Sequence, residues 1–182
     1  MGALRQRLNW TDEGALQDGP RRYVMMRTDV LMGTLQRLPA PAQAAWLQAW
    51  AASAQEHGAA SLQAYAAMDG ADHAALINST VQAAADLGWG RWAIASDSDE
   101  LSLEVCGSPF VHGWRSSAAS TATSASASVA SAQPVCAPIV GLFGALAGMV
   151  LNSPVNVIES CCAATGHDAD GSCRFAARRL PV

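Results

Sequence analysis

Four side chains in the last third of the chain could do chemistry together. Cys136 stands just inside a helix start in PVCAPIVGLFGALAGMVLN, Glu159 and Cys162 follow in SPVNVIESCCAATG, and Cys173 closes the run in DGSCRF. The steps between them are 23, 3 and 11 positions. Three thiols and one carboxylate, each beside an ordered element, can make a four-ligand tetrahedral zinc site. Spacing alone favours the other reading, that these are small buried apolar cysteines, because no CxxC pair is present. His167 offers an imidazole that suits zinc, but it lies between Gly166 and Asp168 and reads as a solvated turn residue. Cys106, on an alternating run, reads as core, and His57 and His73 belong to no constellation.

The order of a Cys, a Gly-interrupted apolar helix, E-x-x-C-x-x-x-G and C-x-F resembles the 4-vinyl-reductase-type, or hydrocarbon-binding, domain. The resemblance covers about Leu101 to Arg179. That family includes the sensor domains of phenol- and xylene-responsive transcription activators, and it shares a fold with TRAPP vesicle-tethering subunits. Carried over position by position, the resemblance implies that Cys136, Glu159, Cys162 and Cys173 are the zinc ligands. The turn from Gly166 to Gly171 is longer than the family's, a departure that bears on Cys173. Strand alternation would pair Glu159 with Cys161; the family spacing selects Cys162. Ser108-Pro-Phe110 and Trp114 match the segment ahead of the ligand helix.

The same resemblance places His112-Gly-Trp114 where phenol-sensing relatives line their ligand pocket. A His or Trp donor in an apolar cavity can fix the hydroxyl of a small aromatic molecule. The alternative is two residues at a strand end packed on the core. The helix from Val135 to Leu151 is apolar on nearly every side and must be enclosed. Its glycines at 141, 144 and 148 admit a neighbouring backbone or leave a cavity. In the second case Leu142, Phe143 and Leu146 join His112 and Trp114 as its wall.

The elements that must position these groups can be read in order. Residues 1–20 read as an arm and 21–180 as a single domain. Arg22–Met26 is a candidate strand, and Arg27–Leu38 carries Val30, Leu31, Leu35 and Leu38 at helical spacing. Two helices follow, Gln43–His57 with Trp46 and Trp50, and Ala59–Met68 with Leu62 and Tyr65, separated at Gly58. Asp72 can cap a further helix reaching Leu87. Trp89–Ser96 and Glu100–Cys106 alternate around Asp97-Ser-Asp99, a hairpin signal. Residues 116–131 are nearly pure Ser, Ala and Thr and read as a marginal helix or a loop. A helix with Pro134 at its first turn and strands at Val155–Cys161 and Ser172–Arg178 complete the chain. The expected fold is α+β, N-terminal helices packed on a twisted antiparallel sheet, like a TRAPP subunit or 4-vinyl reductase.

Composition narrows the function. The 182 residues are 51% hydrophobic and only 14% charged, enough to bury a real core. A net charge of −4 offers no basic footprint for nucleic acid or an anionic membrane. Ala137–Leu151 is apolar but shorter than the roughly 20 residues a bilayer span needs. Five cysteines, an odd number with no secretory signal ahead of them, point to reduced thiols in the cytoplasm. No nucleotide-phosphate, nucleophile-elbow or H-E-x-x-H motif occurs. Four protein ligands leave zinc no open position, so its role would be structural.

The expectation is a zinc-stabilised module that binds or senses a small apolar or aromatic molecule without turnover. Relatives pair through N-terminal helices, which implies a homodimer, and a sensor of this size would signal through a partner protein. The alternatives are an enzyme or accessory factor of tetrapyrrole or hydrocarbon metabolism and a dimeric interaction protein.

Overall fold

The computed structural model describes residues 4–69, 72–121, 130–166 and 170–181. His167 and the centre of the Ser/Ala-rich stretch lie outside these residues. The chain runs α1 (Leu4–Arg7), β1 (Asn9–Trp10), β2 (Leu16–Asp18), β3 (Arg21–Tyr23), α2 (Thr28–Gln36), α3 (Ala40–Asp69) and α4 (His73–Asp86). It continues with β4 (Arg91–Ser96), β5 (Glu100–Cys106), α5 (Pro109–Thr121), α6 (Ala137–Val150), β6 (Val155–Cys161), a 3-10 turn at Ala163–Thr165, and β7 (Ser172–Arg179). The fold is α+β.

Strands β4 to β7 form one antiparallel sheet in the order β4-β5-β7-β6. Period-2 patterning gives the sheet two unlike faces. Trp92, Leu101, Leu103, Val105, Phe175 and Ala177 point inward and are buried. Ser102, Glu104, Arg174 and Ile158 on the same strands are exposed. Helix α6 lies on the inner face, with Ile139, Phe143, Leu146 and Ala147 fully enclosed. As its composition requires, it is buried nearly all round. No described helix is long and apolar enough to cross a membrane.

Several elements depart from the sequence reading. Residues 4–20 are not a bare arm: β1, β2 and β3 make a small antiparallel sheet, and Leu4, Ala15 and Leu16 are buried. The expected strand Arg22–Met26 shortens to β3, leaving Val24 80% and Met25 74% exposed. Gly58 does not divide two helices. It lies inside the single 30-residue α3, because a Cβ there would come 2.9 Å from Leu142 Cδ1, and the missing side chain lets α6 approach. Asp72 caps α4 as expected, accepting from Ala74 N at 3.2 Å. The stretch from Pro109 is helical rather than a strand end: His112 N donates to Ser108 O at 3.0 Å, so Ser108 opens α5. The first turn of α6 holds Pro138, not Pro134.

Candidate metal centre

The sequence places Cys136, Glu159, Cys162 and Cys173 on different elements, and the fold brings them together. One ligand atom from each lies within 4.8 Å of every other. Cys136 sits immediately before α6, in a non-helical conformation with its thiol buried. Cys173, on the central strand β7, is 3.7 Å away sulfur to sulfur. Glu159 points inward from the edge strand β6, opposite Phe175.

A β-bulge decides which of the two adjacent cysteines joins the cluster. Glu159 pairs with Phe175, but the next pair is Cys161 with Arg174, so two residues of β6 oppose one of β7. Ser160 is the extra residue, and its hydroxyl donates to Arg174 O at 3.2 Å. Paired residues share a face, and Arg174 is exposed. Cys161 therefore turns to the outer face, and Cys162, 2% exposed, turns in. Simple alternation, which pairs Glu159 with Cys161, fails here because the pleat is interrupted.

The surroundings are arranged for sulfur. Ser108 Oγ lies 3.2 Å from Cys136 Sγ, and Ala163 N donates to Cys173 Sγ at 3.4 Å. Ala163 is held in turn by Arg115, whose guanidinium donates to its carbonyl at 2.5 Å. Such outer contacts orient ligands. The sequence offered no signal for Ala163 or Arg115; Ser-Pro ahead of an apolar stretch is a helix-start signal that would have placed Ser108.

The electrostatics are those of four acids enclosed together. Burial first, then the neighbouring Cys162, pushes the Glu159 carboxyl up to about 9. Hydrogen bonding to Cys162 and Cys173, with burial, raises Cys136 well above a free thiol. Cys162 is held down by its bond with Cys136 but raised on balance by Cys173 and burial. Bonds from Cys136 and Cys162, helped by Ala163 N–H, hold Cys173 well below a free thiol. Ionising Cys136, Cys162 or Glu159 is thus disfavoured, and Cys173 is the group of the four whose ionisation is favoured.

These residues fit a metal ion. Glu159 Oε1 is enclosed yet has no hydrogen-bond partner among the described residues, a costly state that a coordinated cation would relieve. Two sulfurs bound tetrahedrally to zinc at about 2.3 Å would stand about 3.8 Å apart, close to the Cys136–Cys173 separation. Thiolates with one carboxylate suit a borderline-soft metal.

The residues expected to wall a ligand pocket are spread apart. His112 is exposed, 3.4 Å from Ser116 Oγ on the outer side of α5. Trp114 and Phe143 are packed in the main core, and Leu146 belongs to a second cluster with Leu62 and Tyr65. Gly141 leaves no cavity, since a Cβ there would lie 2.1 Å from Ala51 O: the backbone of α3 takes that space. Gly144 faces Val157 and Gln55. Of the five, Leu142 lines an open cavity of about 570 Å³ between β3, α3, α4 and α6, and His112 a smaller hollow of about 260 Å³ beside Arg27 and Asp29. The body of the larger cavity includes Leu62, Tyr65, Ala83, Ala84 and Trp89. Another hollow of about 500 Å³ shares Tyr23, Leu87 and Trp89 with it and reaches the exposed Val24–Met26 segment.

No protein-family model matches the chain, and no curated protein matches it significantly. Among solved structures it is similar to the phenol-responsive sensory domain of the transcription activator PoxR with phenol. That match has a TM-score of 0.74 at 14% identity and covers 97% of this chain and 86% of that one. It is also similar to a vinyl-4-reductase family protein from Methanocaldococcus jannaschii, with a TM-score of 0.48 at 11% identity, covering 87% and 98%. A third is a trafficking protein particle complex subunit 3 from Naegleria fowleri covalently bound to palmitic acid. There the TM-score is 0.48 at 14% identity, covering 85% and 95%. The first likeness is one of fold.

Proposed function

We propose that the chain is a zinc-stapled module that binds a small apolar or aromatic molecule and senses it without turnover. The observation that carries this reading is the cavity of about 570 Å³ between the N-terminal helices and α6, within the size range of small-molecule sites. The shared fold with a phenol-responsive sensory domain supports it. Leu142 is the contact common to this cavity and to the pocket expected from the sequence. Phe143 and Leu146 belong to the core on the same helix, and His112 and Trp114 lie on α5.

Zinc is the metal that the donor set suits. Cys136, Glu159, Cys162 and Cys173 would hold it and complete a tetrahedral shell, a structural role. Bound there, the ion supplies positive charge to four enclosed acids and ties the start of α6 to β6 and β7. The same reading places the chain in the cytoplasm, where thiols stay reduced. It also makes the chain a two-fold homodimer that reports ligand occupancy to a partner protein. The exposed Val24, Met25, Met26 and Val30 are apolar surface that a second copy would cover.

Phenols, short aromatics and lipids are to be screened by thermal shift. A binder stabilises the folded chain by mass action, by about 2.7 kcal/mol at a concentration 100 times its Kd, and so raises the melting temperature. If folded, metal-loaded protein responds to none of them, the dimeric interaction-protein reading takes its place.

A further inference from the structure

The cavity that Leu142 lines has an apolar body and a cationic rim. Arg21 and Arg22 reach it from β3 and His57 from α3, and no carboxylate is among the described lining residues. The acids nearby are engaged elsewhere. Asp18 accepts from Arg7 at 3.2 and 3.3 Å, and that guanidinium also lies 5.3 Å over the Tyr65 ring. Asp86 accepts from the backbone of Arg5 and from Gln82. Arg21 is tethered at the rim by its bond to Ala60 O at 3.1 Å, and Arg22 is exposed. Among the described residues neither guanidinium is paired with an acid, so both are available to an anion at the mouth. A neutral ligand would gain at most a hydrogen bond there, without the attraction between opposite charges.

Arg presents a planar fork of donors that matches a carboxylate in two-point contact. We propose that this cavity takes a hydrophobic carboxylate. Its apolar body lies against Leu62, Ala83, Ala84, Trp89 and Leu142, and its carboxylate meets Arg21 and Arg22, with His57 beside them. The inference rests on the small-molecule reading above and goes beyond it by fixing the charge and orientation of the ligand.

The test is isothermal titration of the full, zinc-loaded chain with two matched pairs, decanoate against decanol and 2-naphthoate against 2-naphthol. The pairs separate an alkyl from an aryl body. At least one carboxylate is expected to bind at least about 10-fold more tightly than its alcohol. That preference should vanish in R21Q/R22Q, whose substitutions lie at the rim and leave the core intact. Ala83→Phe, which fills the cavity, should weaken both members of a pair together. Equal binding of acid and alcohol, or a preference that survives in R21Q/R22Q, overturns the carboxylate but leaves small-molecule binding standing. No binding of any probe by folded protein overturns both. Binding unaffected by Ala83→Phe in protein of unchanged circular dichroism removes this cavity as the site.

Discussion

At the scale of single residues, two adjacent cysteines have opposite fates. Cys162 faces the cluster and Cys161 the outer face of the sheet. Cys162→Ser is therefore expected to cost most of the bound metal by elemental analysis, and Cys161→Ser to leave the content unchanged. Glu159→Gln should weaken the site by removing an anionic ligand. The protonation of the cluster fixes the pH dependence. Metal-free, Cys136, Cys162 and Glu159 keep their protons at neutral pH, and a metal must displace them. Uptake should release up to three protons, and affinity should fall as pH drops. Titration calorimetry in buffers of different ionisation enthalpy measures this. The pH dependence of metal-free stability comes out differently. Glu159 gains a proton on folding, which favours the unfolded state as pH rises from 4.5 towards about 9. Cys173 loses one, with the opposite sign. The two act in opposite senses across that window. The four-residue set was legible through its resemblance to a known pattern and not through spacing. The bulge at Ser160, which makes the E-x-x-C spacing work on a strand, leaves no mark in residue type.

At the scale of elements, the glycines of α6 set how closely its neighbours approach. Its apolar circumference announced an enclosed helix, and the structure encloses it. What the glycines do depends on what stands opposite, which a single sequence does not contain. Gly141 meets the backbone of α3, Gly144 meets Val157 and Gln55, and a Cβ at Gly148 would lie 3.6 Å from Ser153 O, an ordinary contact. Gly141→Leu and Gly144→Leu should each destabilise by overpacking, typically about 1–3 kcal/mol and more where backbone must move. Gly148→Ala should be neutral or stabilise by up to about 1 kcal/mol, since Gly is costly inside a helix. Urea denaturation ranks the three, and equal effects would contradict the packing described. The same dependence on a neighbour explains Gly58, whose gap is filled by Leu142 rather than by a break in α3. The Asp72 cap and the β4–β5 hairpin were legible because local chemistry suffices for them.

At the scale of the molecule, the α+β order and the enclosed helix followed from the sequence. The docking of residues 4–20 did not, because strands of two and three residues are too short to show a period. That docking supplies the rim of the cavity through Arg21 and Arg22 and leaves Val24, Met25 and Met26 outside it. Leu62 and Tyr65 of α3 are buried within the chain, while Trp46 on the same helix remains 43% exposed. The run of exposed apolar residues proposed for pairing lies between β3 and α2, at Val24–Met26, and continues to Val30. Light scattering should give a dimer, and Met25→Lys should shift it towards monomer; a monomer at all concentrations would contradict the pairing. The claim on which the account turns is that four side chains from separate elements hold one zinc ion that staples α6 to the final hairpin. Native mass spectrometry of protein purified without chelator or added metal tests it directly. The account predicts one zinc per chain, and a chelated sample that loses both the ion and cooperative unfolding. A metal-free chain that unfolds cooperatively at the same temperature, with no shift on adding zinc, would contradict it.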